Sequence, residues 1–263
     1  MDRTALLEAV IDASWRAGAL IRDIRRRGCG HRLKSDLSPV TEADEAAEAL
    51  ILKALRAAAP DIPVVAEEQA ASGHVRDLRE VWFHVDPLDG TKEFIRGGDD
   101  YTVNVGLVTR DGPLLGVVLA PEQERLFAGI VGEGAFEEHG GRRTPLAVIP
   151  PRDPLIVAAS KSHFNRQTED YLAHAAPAAE RLSIGSSLKF CLLATGEADF
   201  YPRLSPTSEW DTAAGHAVLL AAGGRVDGPD GHALTYGKPG FLNSGFTATT
   251  GWQAPPVGPW LAA

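Results

Sequence analysis

The sequence predicts a mixed α/β protein, and three observations carry that prediction. Apolar residues recur with helical spacing over 3–27 and 41–58. Short β-branched or aromatic blocks follow near 63–67, 81–86, 101–109, 113–120 and 125–131. From 155 onward such blocks alternate with helical stretches, the pattern of a sheet covered by helices.

Leu7, Ile11, Ser14, Trp15, Gly18 and Ile21 fall on one face of the first helix. Arg25-Arg26-Arg27 before Gly28 suits its C-terminus, where cations meet the negative end of the helix dipole. Thr41 is a good N-cap for the second helix, with Asp44 at the third position as in a capping box. Ala43, Ala47, Leu50, Ile51 and Leu55 supply that helix's apolar face. Val64-Val65-Ala66 is a short strand running into the adjacent acids Glu67 and Glu68. Val81 to Val85 reads as a buried strand that Pro87 stops, since proline cannot continue a ladder. Asp89-Gly90 then turns the chain, and Thr91 to Ile95 starts a helix. Tyr101–Thr109 and Leu114–Ala120 are joined at Asp111-Gly112, a hairpin signal.

Four prolines between Pro145 and Pro154 mark the boundary between two intimate halves, 1–148 and 149–263, of one compact unit. The second half reads as strand 155–159, helix 165–175, strand 181–184, helix 187–195 and strand 198–202. A helix over 211–222 then stops at Gly223-Gly224, and short strands complete the chain. Trp252 and Trp260, in a Pro- and Gly-rich tail, read as docking anchors, and His216 as a packing residue.

At 263 residues the chain can bury a large core. No run of about 18 apolar residues exists, so no integral membrane segment is expected. The N-terminus lacks a signal-peptide pattern. A net charge of −9 argues against a nucleic-acid partner, the three arginines notwithstanding. Cys29 and Cys191 form no metal-spaced or redox pair and read as reduced thiols of a cytoplasmic protein. Peripheral attachment to the inner face of the cell membrane stays open, as does the choice between monomer and homodimer.

The chemistry concentrates in Asp86-Pro87-Leu88-Asp89-Gly90-Thr91. Carboxylate oxygens bind hard cations such as magnesium. Amides at a helix N-terminus bind phosphate. Both within six residues suit metal-assisted attack on a phosphate ester. Asp-Pro and Asp-Gly are also ordinary turn residues, and Asp211 ahead of its helix is also an ordinary cap. The paired acids Glu67 and Glu68 repel each other unless a cation or solvent compensates.

Asp-Pro-Leu-Asp-Gly-Thr, with Trp210-Asp211-Thr212-Ala213-Ala214-Gly215 downstream, resembles the magnesium-dependent, lithium-sensitive phosphatase superfamily of the inositol monophosphatases. Asp86 to Phe94, Ser183 to Cys191 and Tyr201-Pro202-Arg203 resemble its 3'(2'),5'-bisphosphate nucleotidase branch. The resemblance runs from Ala5 to about Phe246 and implies a five-layered αβαβα sandwich with the site between the halves. It implies two or three magnesium ions, with manganese a possible substitute. Asp86 would bridge two ions, Glu67 and the Leu88 carbonyl would serve the first, and Asp89 and Asp211 the second. Asp44 and Thr91 would orient and activate the water, and the Gly90 and Thr91 amides would hold the phosphate. Glu68 would act through water. Gln69 departs from relatives that often carry an acid there, which alters surroundings but removes no ligand.

His163, Ser187, Lys189 and Arg203 match substrate-binding positions of that branch, although each would also serve as a solvated surface or turn residue. The small-molecule phosphorylated substrate implied is adenosine 3',5'-bisphosphate, hydrolysed to AMP and phosphate in sulfur assimilation. 3'-Phosphoadenosine 5'-phosphosulfate is a second candidate. An inositol monophosphate or fructose 1,6-bisphosphate is the alternative substrate. A non-catalytic nucleotide sensor is disfavoured, because every expected ligand and the Asp44/Thr91 pair are in place.

Overall fold

The computed structural model describes residues 2–34, 37–74, 77–162 and 164–261. α1 (Arg3–Arg27) and α2 (Glu42–Ala58) form the outer layer of the first half. The Asp2 carboxylate caps α1 by accepting from the Thr4 and Ala5 amides. Thr41 and Asp44 make the expected capping box at the start of α2. β1 (His31–Leu33) and β2 (Pro39–Thr41) pair antiparallel between the two helices.

A seven-stranded sheet lies under these helices, its strands in chain order from edge to edge. It comprises β3 (Val64–Ala66), β4 (Trp82–Asp89), β5 (Thr102–Val108), β6 (Pro113–Ala120), β7 (Arg125–Ile130), β8 (Gly134–His139) and β9 (Arg142–Leu146). β3 and β4 run parallel and the remaining neighbours antiparallel. α3 (Glu67–Ala71) follows β3 directly, and α4 (Thr91–Ile95) follows β4 through Gly90, whose φ of 99° only glycine adopts at little cost.

Alternation along the strands sorts the sheet into two faces. Phe83, Val85, Val103, Val105, Leu107, Leu115, Val117 and Leu119 pack on α1 and α2. Val118, Ala120 and Phe127 face the other way, onto α6 (Leu188–Thr195) and α7 (Ala213–Ala221). Gly106, Gly116 and Gly129 stand side by side across β5, β6 and β7 on that second face. Each lies against the backbone or alanine methyls of α7, so the absent side chains make the channel in which α7 lies.

A five-stranded sheet covers the far side of α6 and α7. It consists of β10 (Ile156–Ser160), β11 (Glu180–Ile184), β12 (Phe200–Arg203), β14 (Arg225–Asp227) and β16 (Phe246–Thr249), in the order β11-β10-β12-β16-β14. β13 (Thr207–Ser208) and β15 (Leu242–Asn243) form a separate small pair. Ala158, Tyr201, Phe246 and Ala248 face the central helices. Val157 and Phe200 face α5 (Arg166–Ala175), Tyr171 and the tail that ends in α8 (Gly258–Leu261). The layers therefore run helices, sheet, helices, sheet, helices, the expected αβαβα sandwich. Trp252 and Trp260 anchor the tail to this outer core, and His216 is a packing residue beside Tyr236.

Several expectations need correction. Pro87 does not end its strand; β4 continues to Asp89, with its register on β5 shifting between Asp86 and Asp89. A bulge tolerates proline because no ladder hydrogen bond is required there. The helix expected over 211–222 is α7, which begins at Ala213, and Asp211 does not cap it. β8 and β9 extend the sheet through 134–146, a hairpin that the sequence reading left unassigned.

Candidate active site

The expected residues converge where the two halves meet. A cavity of about 540 Å³ is lined by Glu67, Asp86, Leu88, Asp89, Gly90 and Thr91 from the first half. Ser187, Lys189, Arg203 and Asp211 line it from the second. Asp44 lies just behind, only 2% exposed, and meets the cavity through Thr91. His163 lies outside the described residues.

Each side chain is placed by its element. Asp86 sits near the end of a buried strand, and its Oδ1 accepts the Leu88 amide at 3.0 Å. Asp89 Oδ2 accepts from the Ser187 hydroxyl at 3.0 Å. That hydroxyl also lies 2.6 Å from the Asp211 carbonyl. Ser187 thus ties a carboxylate of the first half to the loop carrying Asp211 in the second. Asp211 Oδ2 accepts from the Thr207 hydroxyl at 2.5 Å and the Ser208 amide at 3.0 Å. Asp44 Oδ2 accepts from the Thr41 amide and hydroxyl. Its other oxygen lies 3.0 Å from the Thr91 hydroxyl, which is also 3.2 Å from the Leu88 carbonyl.

Among the described residues, five acids and four basic side chains line the cavity, and the acids crowd one another. Burial, and then the charges of Glu67, Asp89 and Asp211, hold Asp86 well above the ordinary carboxylate range. Burial and Asp211 push Asp89 up to about 6. Glu67, Asp211 and Asp44 are likewise raised, burial being the main cause. Lys34 partly compensates, its Nζ lying 2.8 Å from Glu67 and 2.7 Å from Glu68. Lys189 is pushed down to about 8 by burial, with Asp89 opposing. It bonds to the Ser186 carbonyl and lies 5.1 Å from the centre of the Tyr201 ring. Arg203 donates to the Ser205 and Pro206 carbonyls, both at 3.2 Å.

This donor set suits a hard cation: buried carboxylates from separate elements that raise one another's pKa. Among the described residues, no three His, Cys, Asp or Glu side chains are already gathered into a metal cage. The acids ring the cavity instead, with Lys34 beside Glu67. Glu68 and Gln69 line a neighbouring hollow with Glu45 and Glu48.

Sequence reasoning missed Lys34, Thr207, Asn104 and Glu209. Asn104 Nδ2 lies 3.0 Å from Ser187 Oγ and 3.4 Å from Asp89 Oδ2. A polar residue inside the apolar run of β5 was a usable signal, because a buried amide needs a partner. Thr207 acts locally, on Asp211 four residues later, while Lys34 and Glu209 depend on contacts across the fold.

The model of the inositol monophosphatase family matches residues 2–255. The chain is 43% identical over 247 residues to the 3'(2'),5'-bisphosphate nucleotidase CysQ of Salmonella typhimurium, covering 93% of this chain and 99% of that protein. It is 45% identical over 214 residues to the CysQ of Escherichia coli, covering 81% and 86%. The crystal structure of CysQ from Bacteroides thetaiotaomicron superposes with a TM-score of 0.79 at 34% identity, covering 94% of this chain and 97% of that one.

Proposed function

The chain belongs to the inositol monophosphatase family, and from that premise we propose that it removes the 3'-phosphate of adenosine 3',5'-bisphosphate. The products are AMP and phosphate. It is a phosphoric monoester hydrolase of a metal-dependent family, and its relatives at 43–46% identity are 3'(2'),5'-bisphosphate nucleotidases. The observation that carries the substrate reading is the pair Lys189 and Arg203 on the wall of the cavity that also holds the acids. A bisphosphate needs cations for the phosphate that does not react, whereas a monophosphate does not. 3'-Phosphoadenosine 5'-phosphosulfate, with an anionic group at the same end, is a second substrate.

Glu67, Asp86, the Leu88 carbonyl, Asp89 and Asp211 would hold two or three magnesium ions, and manganese would substitute because it accepts the same oxygen donors. When bound, the ions supply the positive charge that steadies the attacking and leaving oxygens. The chain's own groups do the rest. The Gly90 and Thr91 amides and Ser187 hold the reacting phosphate. The Thr91 hydroxyl, 3.0 Å from Asp44 Oδ1, orients the water. Asp44, raised above the ordinary range by burial, accepts the water's proton through Thr91. The water oxygen bonds to phosphorus as the bond to the ribose 3'-oxygen breaks, and that oxygen takes up a proton from solvent on leaving, while Asp44 returns its own proton to solvent.

No helix among the described residues is long and apolar enough to cross a membrane. The free thiols Cys29 and Cys191 suit a reducing compartment, and we place the enzyme in the cytoplasm as a monomer or homodimer. The test is a side-by-side kinetic screen of adenosine 3',5'-bisphosphate, an inositol monophosphate and fructose 1,6-bisphosphate, with and without EDTA. The bisphosphate nucleotide should give the highest kcat/KM, and EDTA should abolish turnover. Preference for inositol monophosphate would overturn the substrate assignment, and full activity in EDTA would overturn the metal reading.

A further inference from the structure

Glu209 is completely buried, yet its carboxylate has partners on β4 and on the loop at Gly237-Lys238. Oε2 lies 3.0 Å from His84 Nε2 on β4 and accepts the Gly237 amide at 2.8 Å. Oε1 accepts the Lys238 amide at 3.0 Å and pairs with Lys238 Nζ at 2.9 Å. Its backbone is equally engaged. The Glu209 amide donates to the Phe241 carbonyl at 2.8 Å. The Glu209 carbonyl accepts from the Thr212 and Ala213 amides, which begins the turn leading into α7.

The placement of these contacts matters more than their number. His84 lies two residues before Asp86, and a strand's period of two puts both on the same face of β4. Glu209 lies two residues before Asp211. One carboxylate therefore joins the chain just upstream of an acid in the first half to the chain just upstream of an acid in the second. Ser187 makes a second tie on the other side of the cavity, between Asp89 and the Asp211 carbonyl. A buried ion pair is weak evidence for stability, since apolar packing of equal volume does as well. Fixing the spacing between two elements is what such a group does that apolar packing does not.

We infer that Glu209 is a positioning residue that sets the distance between Asp86 and Asp211 across the interface of the two halves. This inference rests on the reading of those acids as metal ligands. It assigns no contact with substrate or metal to Glu209 itself. Groups that orient metal ligands are typically worth about 10- to 100-fold in affinity or activity when removed.

The test is Mn2+ binding to the full-length protein by calorimetry, alongside kinetics in magnesium, for the wild type, Glu209→Gln and Lys238→Met. Glu209→Gln keeps the shape and one acceptor but loses the charge around which two backbone amides, the Lys238 ammonium and the His84 ring gather. It should bind Mn2+ about 10- to 100-fold more weakly and lose kcat by a similar factor, while KM for adenosine 3',5'-bisphosphate changes less than about threefold. Lys238→Met removes one partner at the edge of the network and should shift both quantities in the same direction by a smaller factor. If Glu209→Gln does not fold, Lys238→Met carries the test alone. A folded variant with wild-type Mn2+ affinity and kcat would overturn the inference and leave the proposed function standing. A wild type that binds no Mn2+ would overturn both.

Discussion

Replacing Gly116 by alanine should displace the helix that follows Asp211. A Cβ at Gly116 would lie 2.3 Å from the Ala214 carbonyl oxygen, 2.8 Å from the Ala217 methyl and 2.9 Å from the Ala214 Cα. Two of these atoms are helix backbone and the third is an alanine methyl, so none can rotate away. Ordinary carbon contacts begin near about 3.5 Å, so α7 must retreat by about 1 Å. Overpacking of that size costs about 1–3 kcal/mol, or roughly 2–12 °C in Tm for a chain of this length. The same retreat moves Asp211, two residues before α7. A misplacement of about 1 Å at a reacting centre can cost about 100-fold in rate. The assay pairs thermal melts in EDTA with kcat in saturating magnesium, using Gly30→Ala as control. A Cβ at Gly30 meets nothing within 4 Å, so that variant should match the wild type in both. Gly116→Ala with an unchanged Tm and unchanged kcat would refute the account of α7 as a rigid element seated in the glycine channel.

Three further outcomes are expected. Asp44→Asn should lower kcat by about 100-fold or more with little change in KM, because proton removal matters mainly in the transition state; near-normal kcat would leave Asp44 as a helix cap only. Lys189→Ala or Arg203→Ala should lower kcat/KM for adenosine 3',5'-bisphosphate by about 10- to 150-fold and spare an inositol monophosphate, whereas equal losses on both would assign these residues to the fold. Glu48, buried behind the site, is pushed up to about 7 from the ordinary 4.5, by burial first. Its folded-state pKa is the higher one, so its contribution to stability is complete below about 4.5 and is lost as pH rises to about 7. Glu48→Gln keeps an acceptor for the Glu68 amide, and in EDTA it should gain up to about 3 kcal/mol over wild type at pH 8 and little at pH 4 in urea unfolding. An equal difference at both pH values would contradict that assignment.

Much of the site was legible because its residues lie in local motifs. Asp86, Asp89, Gly90 and Thr91 are set by one strand, one bulge and one turn, all marked by Pro and Gly. The capping box of Thr41 and Asp44 was equally local, and the structure shows that Asp44 turns its other oxygen to Thr91, 47 residues away. What was not legible depends on distant pairing. Lys34 meets Glu67 and Glu68, and His84 meets Glu209 125 residues later. No periodicity encodes either. The β8–β9 hairpin escaped because its residues are mostly exposed or half-buried and polar, so strand-like alternation is weak there. Pro87 misled because a bulge removes the need for the hydrogen bond that proline lacks.

The seating of α7 on the first half's sheet has a consequence for how the protein is made. The sheet is complete in sequence at Leu146, but the two helices that cover its second face, α6 and α7, begin only at Leu188 and Ala213. Synthesis adds about 5–20 residues each second, so Val118, Phe127 and the bare glycine channel wait for seconds with nothing to cover them. The proline-rich boundary therefore separates the halves in sequence without separating them in folding. A ribosome that stalls beyond Leu146 leaves a sheet with one face closed and one open, the state most exposed to aggregation and to proteolysis.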